Sequence, residues 1–159
     1  MTISVGDKIP DLELFVMGAE GPESIRSDSL FKGKKVAVFG LPGAFTKTCS
    51  ALHLPGFVFN ADNIRAKGID DIVCLSVNDA WVMNAWGESK GAPGKVTMVG
   101  DGGLEFTRWA GLEVDLSAKG YGPRCKRFSA IVDDGTVTHV YFETNGFGET
   151  SAERMLEDL

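Results

Sequence analysis

Cys49 ends a stretch that no ordinary turn requires. It stands in Gly-Leu-Pro-Gly-Ala-Phe-Thr-Lys-Thr-Cys-Ser, residues 40–50, directly after the apolar run Lys-Lys-Val-Ala-Val-Phe-Gly-Leu, residues 34–41. A continuous apolar run of that length reads as a strand buried on both faces. The loop after it then lies at a strand's carboxyl end, where open α/β sheets build their sites. A sulfur in the first turn of the following helix meets unpaired N–H groups and the positive end of the dipole. Both favour the thiolate, the form of cysteine that attacks. Thr46, three residues earlier, can cap that turn and offer its hydroxyl to whatever meets the sulfur. Pro42 and Gly43 make the loop stiff and compact, suited to excluding water. The alternative is a structural cysteine in a tight corner, since free cysteines are among the most buried residues.

The other reactive side chains are scattered. Arg127 precedes the apolar run Phe-Ser-Ala-Ile-Val, residues 128–132, so it lies near the start of a strand. Its guanidinium is permanently charged and carries five donors. Beside Cys49 it would favour the thiolate and could bind a polar oxygen substrate. Nothing local ties it to Cys49, and a surface arginine flanking a strand is the plainer reading. Cys74 lies inside a second apolar run, Asp-Ile-Val-Cys-Leu-Ser-Val, residues 71–77, and reads as core. To meet Cys49 it would need backbone movement. Cys125 stands two residues before Arg127, and on one strand the two would share a face. With Arg124, Lys126 and Arg127 around it, Cys125 is expected to be exposed, somewhat reactive and a site for mixed disulfides; the alternative is an incidental surface thiol. His53 follows Cys49 by four residues, but Pro55 interrupts that helix, so packing or hydrogen bonding suits it better than general-base work. Trp81 and Trp86 read as core or interface aromatics.

These groups need a scaffold. The chain has 159 residues, 43% of them hydrophobic, enough for one domain with a real core. The predicted elements run as an N-terminal extended pair around a Gly-Pro turn, then the strand at 34–41. A helix opens at Pro55 and stops at Gly68, followed by the strand at 71–77 and a helix capped by Asn78 or Asp79. A strand at 95–101 and a short helix at 103–112 come next. Two strands around Asp134-Gly135, a strong hairpin dipeptide, and a C-terminal helix capped by Ser151 close the chain. Alternating strands and helices with a late hairpin give an α/β fold, with a central mixed β-sheet flanked by helices. The net charge of −6 argues against nucleic acid as a partner. No run reaches the roughly 18 apolar residues of a membrane span, and no export signal is visible, so a cytoplasmic location is expected. Three cysteines and two histidines without ligand spacing make neither a disulfide framework nor a zinc site.

The loop carries a resemblance as well. Pro42, Thr46 and Cys49 match Pro-x-x-x-Thr-x-x-Cys, the peroxidatic-cysteine signature of the peroxiredoxins. Leu-Pro-Gly-Ala-Phe-Thr at 41–46, His-Leu-Pro-Gly-Phe at 53–57 and Cys-Leu-Ser-Val-Asn-Asp at 74–79 are similar to the type II, peroxiredoxin-5-like group. So are Met-Asn-Ala-Trp-Gly at 83–87 and Lys-Arg-Phe-Ser-Ala-Ile-Val-Asp-Asp-Gly at 126–135. The resemblance runs from about Val5 to the C-terminus. It implies a single thioredoxin-like domain over 1–159, with an N-terminal β-hairpin, and reduction of hydrogen peroxide and organic hydroperoxides without metal or organic cofactor. It gives Cys49 the attack on a peroxide oxygen and the ensuing sulfenic acid. Thr46 would hydrogen-bond sulfur or substrate, Arg127 would be the active-site arginine, and Pro42 would shield the sulfur. Backbone N–H groups among Gly43, Ala44, Phe45 and Thr48 would hold peroxide oxygens. A non-covalent homodimer is implied too.

Two positions depart from that pattern. Lys47 stands where many type II members carry Pro, an added cation beside the sulfur. Ser151 stands near where some members place a resolving cysteine, so the implied mechanism is of the one-cysteine kind. Glutathione or glutaredoxin would then be the favoured reductant, with thioredoxin as the other partner. A thiol–disulfide oxidoreductase is disfavoured because Thr46 fills the first position of any Cys-x-x-Cys pair. A non-catalytic chaperone or redox-signalling protein on the same fold is the remaining alternative.

Overall fold

The computed structural model describes residues 2–159. Its strands are β1 (Glu13–Gly18), β2 (Gly21–Arg26), β3 (Lys35–Leu41), β4 (Asp71–Ser76), β5 (Thr97–Gly100), β6 (Glu113–Asp115), β7 (Pro123–Cys125), β8 (Phe128–Asp133) and β9 (Thr136–Phe142). Its α-helices are α1 (Ser27–Phe31), α2 (Leu54–Phe59), α3 (Ala61–Ala66), α4 (Ala80–Ser89), α5 (Glu105–Trp109) and α6 (Ala152–Leu156). Seven strands form one sheet in the order β2-β1-β5-β4-β3-β8-β9. β3, β4 and β5 run parallel, and β1, β2, β8 and β9 pair antiparallel. This is the expected thioredoxin-like fold, with a mixed sheet flanked by helices and an N-terminal β-hairpin.

Two-residue alternation divides the core into two layers. β3 sends Ala37, Phe39 and Leu41 to one face and Val36 and Val38 to the other; β4 does the same with Cys74 and with Val73 and Leu75. The first face is covered by Leu54 and Phe57 of α2, Ile64 of α3, Met83 and Trp86 of α4 and Met155 of α6. The second is covered by Leu30 and Phe31 of α1 and Phe106 of α5. Phe57 stacks on Phe39 with ring centroids 4.1 Å apart, which fixes α2 against β3 directly behind Cys49. Burying such a ring stabilises by roughly 1.5–3 kcal/mol.

Three local expectations change. Gly18 pairs with Gly21, so the first hairpin turns at Ala19-Glu20, and Gly21-Pro22 opens β2. β2 is an edge strand, where the N–H that proline lacks is not needed. The helix expected from Pro55 to Gly68 breaks at Asn60, whose side-chain amide donates to the Gly56 carbonyl at 2.8 Å and competes with the helical ladder. The β6–β7 ribbon has three-residue strands and no apolar run, so no pattern announces it.

Candidate active site

β3 delivers the chain to a braced loop. Ser76 at the end of β4 donates its hydroxyl to the Leu41 carbonyl at 3.1 Å and to Asn78 Oδ1 at 2.8 Å. Asn78 Oδ1 in turn accepts from the Ala44 N–H at 3.0 Å. Arg124 of β7 donates Nη1 to the Pro42 carbonyl at 3.1 Å. Gly43 permits this, since a Cβ there would sit 2.6 Å from that nitrogen. Phe45 takes a left-handed φ of 64°, uncommon for a bulky residue and of a kind that collects at functional sites. Thr46 starts the helical stretch, but its hydroxyl donates to the Gly43 carbonyl at 2.6 Å, closing the loop.

Cys49 opens a π-helical turn, Cys49–His53, that runs without interruption into α2. The Leu54 N–H reaches the Cys49 carbonyl, a five-residue step. The next residue, Pro55, has no N–H to give. The extra residue is thus inserted where the ladder is already interrupted, and such bulges occur frequently at functional sites. Pro55 therefore does not separate His53 from Cys49; both are buried on the inner side of one turn.

Cys49 is 1% exposed, and Arg127 Nη2 donates to its sulfur at 3.2 Å. Arg127 sits between β7 and β8, 78 residues away in sequence, and the pairing of β8 with β3 brings it to the loop. Its Nη1 lies 2.7 Å from His53 Nδ1, and His53 Nε2 lies 3.1 Å from the Thr150 carbonyl. A carbonyl only accepts and a guanidinium only donates. His53 is therefore the neutral tautomer with its proton on Nε2. Burial, followed by the Arg127 charge, holds its pKa down at about 3. His53 thus works as a positioning acceptor for Arg127, as the hydrogen-bonding reading expected.

The segment that supplies Thr150 is itself clamped. Glu143, just past β9, accepts from the N–H groups of Gly148 (3.1 Å), Glu149 (3.1 Å) and Thr150 (2.9 Å) and from the Thr150 hydroxyl (2.5 Å). Between them, Phe147 packs edge-on to His53 and lies 5.7 Å from the Arg127 guanidinium carbon. Sequence reasoning missed Glu143, Phe147, Thr150, Asn78 and Arg124 as parts of the site.

Pro42, Thr46, Thr48 and Arg127 line a cleft of about 690 Å³, and Cys49 lies behind them without lining it. Gly43, Ala44 and Phe45 do not line it. Ala44's N–H is engaged by Asn78, so it is not a free donor for a peroxide oxygen.

The other two cysteines part company. Cys74 is fully buried in the same layer as Cys49, and burial, then the Cys49 charge, pushes its thiol up. Cys125 overturns the expectation of an exposed, reactive thiol. It is 0% exposed in the opposite layer, with its sulfur 3.3 Å from the Lys126 carbonyl. Burial pushes its pKa up to about 12. It ends β7, and Arg127 lies beyond the strand, so the two do not share a face. Among the described residues no group of three or more Cys, His, Asp or Glu is placed to hold a metal ion. No helix among them is long and apolar enough to cross a membrane.

Known proteins resemble this chain over nearly its whole length. The Redoxin family model matches residues 4–156. Peroxiredoxin-2E-2, chloroplastic, of Oryza sativa subsp. japonica is 47% identical over 99% of this chain and 73% of its own length. Peroxiredoxin-2C of Arabidopsis thaliana is 44% identical over 99% of this chain and 98% of its own. Among solved structures, reduced Prx3 of Vibrio vulnificus in complex with H2O2 superposes with a TM-score of 0.93 at 42% identity, covering 99% of each chain.

Proposed function

The chain belongs to the peroxiredoxins of the redoxin family, and on that premise we propose that Cys49 turns over as a one-cysteine peroxidase recycled by an external thiol. Thiol-dependent peroxidase activity is what its relatives support. The observation that carries the assignment to Cys49 is the 3.2 Å donation from Arg127 to its sulfur, beside a cleft lined by Pro42 and Thr46. The thiolate attacks the terminal oxygen of R–O–O–H. An S–O bond forms as the O–O bond breaks, and the electron pair departs on RO⁻, which takes a proton from solvent. Cys49 is left as the sulfenic acid. Arg127 holds positive charge where negative charge passes from sulfur to leaving oxygen. A thiol then displaces water to give a mixed disulfide, and a second thiol frees Cys49.

Glutathione, directly or through glutaredoxin, is the favoured donor, and thioredoxin the other. Ser151 in place of a C-terminal cysteine supports this, as does the burial of Cys125 on the far side of the sheet. The motifs at 53–57, 74–79 and 126–135 support type II membership. Phe45 and Trp81, 57% and 61% exposed, offer apolar surface to a homodimer. Three free thiols suit a reducing, cytoplasmic setting.

A donor panel tests the scheme: glutathione, glutathione with glutaredoxin, and thioredoxin, each with hydrogen peroxide. Turnover with the glutathione arms, lost in Cys49→Ser, is the expected result. Intact mass of the glutathione arm, taken under non-reducing conditions, should show one glutathione on Cys49. A loss of two hydrogens would instead mean a Cys49–Cys74 disulfide and displace the one-cysteine scheme. Arg127→Gln should slow oxidation by about 10- to 100-fold, the weight of a hydrogen bond to a charged group. No peroxide consumption with any donor would favour the non-catalytic chaperone or signalling role.

A further inference from the structure

The β6–β7 ribbon stands outside the main sheet. Its base is fixed, because Cys125 is buried in the core and the Lys126 N–H donates to the Leu112 carbonyl at 2.8 Å. Its tip, residues 117–120, is exposed. The turn closes on itself, the Leu116 N–H donating to the Gly122 carbonyl at 2.8 Å and the Tyr121 N–H to the Leu116 carbonyl at 3.1 Å. Among the described residues, 114–124 make one hydrogen bond to the rest of the chain: Arg124 Nη1 to the Pro42 carbonyl at 3.1 Å. The same guanidinium donates Nε to the Tyr121 carbonyl at 3.0 Å, and its carbon lies 5.3 Å from the centre of the Tyr121 ring. One rigid planar fork thus joins the ribbon's turn to the loop that leads to Cys49. Arg124 is in no ion pair among the described residues, so no acid competes for it. Arg124 does not line the cleft, but the two residues it holds, Pro42 and Tyr121, both do, as do Val114 and Leu116 of the ribbon. Val114 pairs with Arg124 across the ribbon, so the two share a face.

We propose that Arg124 is a positioning residue that sets the ribbon against the Cys49 loop, and so governs how fast a bulky hydroperoxide oxidises Cys49 relative to hydrogen peroxide. The proposal rests on the reading of Cys49 as the peroxidatic sulfur. Arg124 touches neither sulfur nor peroxide; it acts through Pro42 on one wall and Tyr121 on the other. An organic group that extends past Pro42 meets the ribbon wall of Val114, Leu116 and Tyr121. Hydrogen peroxide needs only the loop. Releasing the fork frees the ribbon's turn and removes the wall from its place, whereas the loop keeps its bonds from Asn78 and Thr46. The two peroxides therefore respond unequally. A guanidinium that acted by its charge alone would affect both alike.

The test is single-turnover oxidation of the reduced protein, followed by stopped flow, with cumene hydroperoxide and hydrogen peroxide as oxidants. In Arg124→Gln the cumene hydroperoxide rate should fall about tenfold, the scale of a lost hydrogen bond to a charged group, and the hydrogen peroxide rate about threefold or less. Arg124→Lys keeps the charge, but one ammonium cannot reproduce the fork. Its ratio of the two rates should stay nearer to that of Arg124→Gln than to the wild type. Amide exchange in both variants should quicken at residues 116–122 and, to a smaller extent, at Ala44 and Thr46. Circular dichroism establishes that the variants fold, and Arg124→Lys carries the test by itself should Arg124→Gln not fold. Equal slowing of the two peroxides would overturn the proposal while leaving Cys49 as the reacting sulfur. So would a wild-type ratio in Arg124→Lys, which would reduce Arg124 to its charge. Wild-type protein that neither peroxide oxidises would overturn the Cys49 reading itself.

Discussion

Cys49 and Cys125 are 1% and 0% exposed, on opposite faces of one sheet. Their burial is the same and their surroundings are not. Cys49 has a guanidinium nitrogen on its sulfur and residues around it that open onto a cleft. The sulfur of Cys125 has a backbone carbonyl, and its thiol is pushed up first by burial, with the nearby charge of Asp101 adding to it. The difference teaches that burial does not decide whether a thiol works; the charge and the path that reach it do. A pKa of about 12 leaves Cys125 with a thiolate fraction of roughly one in 100,000 at neutral pH. With one equivalent of peroxide and dimedone, peptide mass mapping should find the adduct on Cys49 and none on Cys125. A Cys125 adduct in folded protein at a comparable rate would collapse the contrast.

A second way to sharpen the comparison is acid. The Cys49 face contains a buried neutral histidine, whereas no histidine lies among the buried residues of the Cys125 face. His53 titrates near 3 when folded and near 6.5 when unfolded, so between those values the unfolded chain takes up the proton first. Stability is therefore fully present above about pH 6.5 and is lost as pH falls toward 3. Across that whole window the loss is at most about 5 kcal/mol. Urea midpoints from pH 7 to pH 4 should fall more steeply for the wild type than for His53→Gln. Parallel slopes would show that the imidazole is not held neutral by the fold.

How far these features were legible follows from how local they are. β3, β4, β5 and β8 announced themselves through apolar runs, and Pro42, Thr46 and Cys49 lie within eight residues of one another. Arg127 is legible as a candidate but not as a neighbour, because only the β3–β8 pairing places it. His53, Thr150 and Glu143 share no local pattern, and 97 residues separate the first two. Cys125 was misread for a reason visible in the sequence. On a strand, neighbours point to opposite faces. On β7 Arg124 therefore points away from the Cys125 sulfur, and its charge signals that Cys125 faces inward.

The smallest predicted effect concerns the segment that tells the two faces apart. Thr150 reaches the Cys49 face through His53, and Glu143 fixes Thr150. Partial burial works to raise the Glu143 carboxyl, but hydrogen bonds from Thr150, Gly148 and Glu149 outweigh it and hold the pKa below the usual range. Removing the charge in Glu143→Gln weakens those bonds without emptying the space. The Thr150 carbonyl then holds His53 less firmly, and Arg127 spends less time on the sulfur. The oxidation rate of Cys49 should fall about threefold, the weight of a weakened neutral hydrogen bond passed through one intermediary. Amide exchange should quicken at residues 148–150 and stay unchanged around Cys125. Glu143→Asp should recover part of the rate, since it restores the charge on a shorter arm. Faster exchange in the segment with a wild-type oxidation rate would show that the clamp stabilises the fold without acting on Cys49.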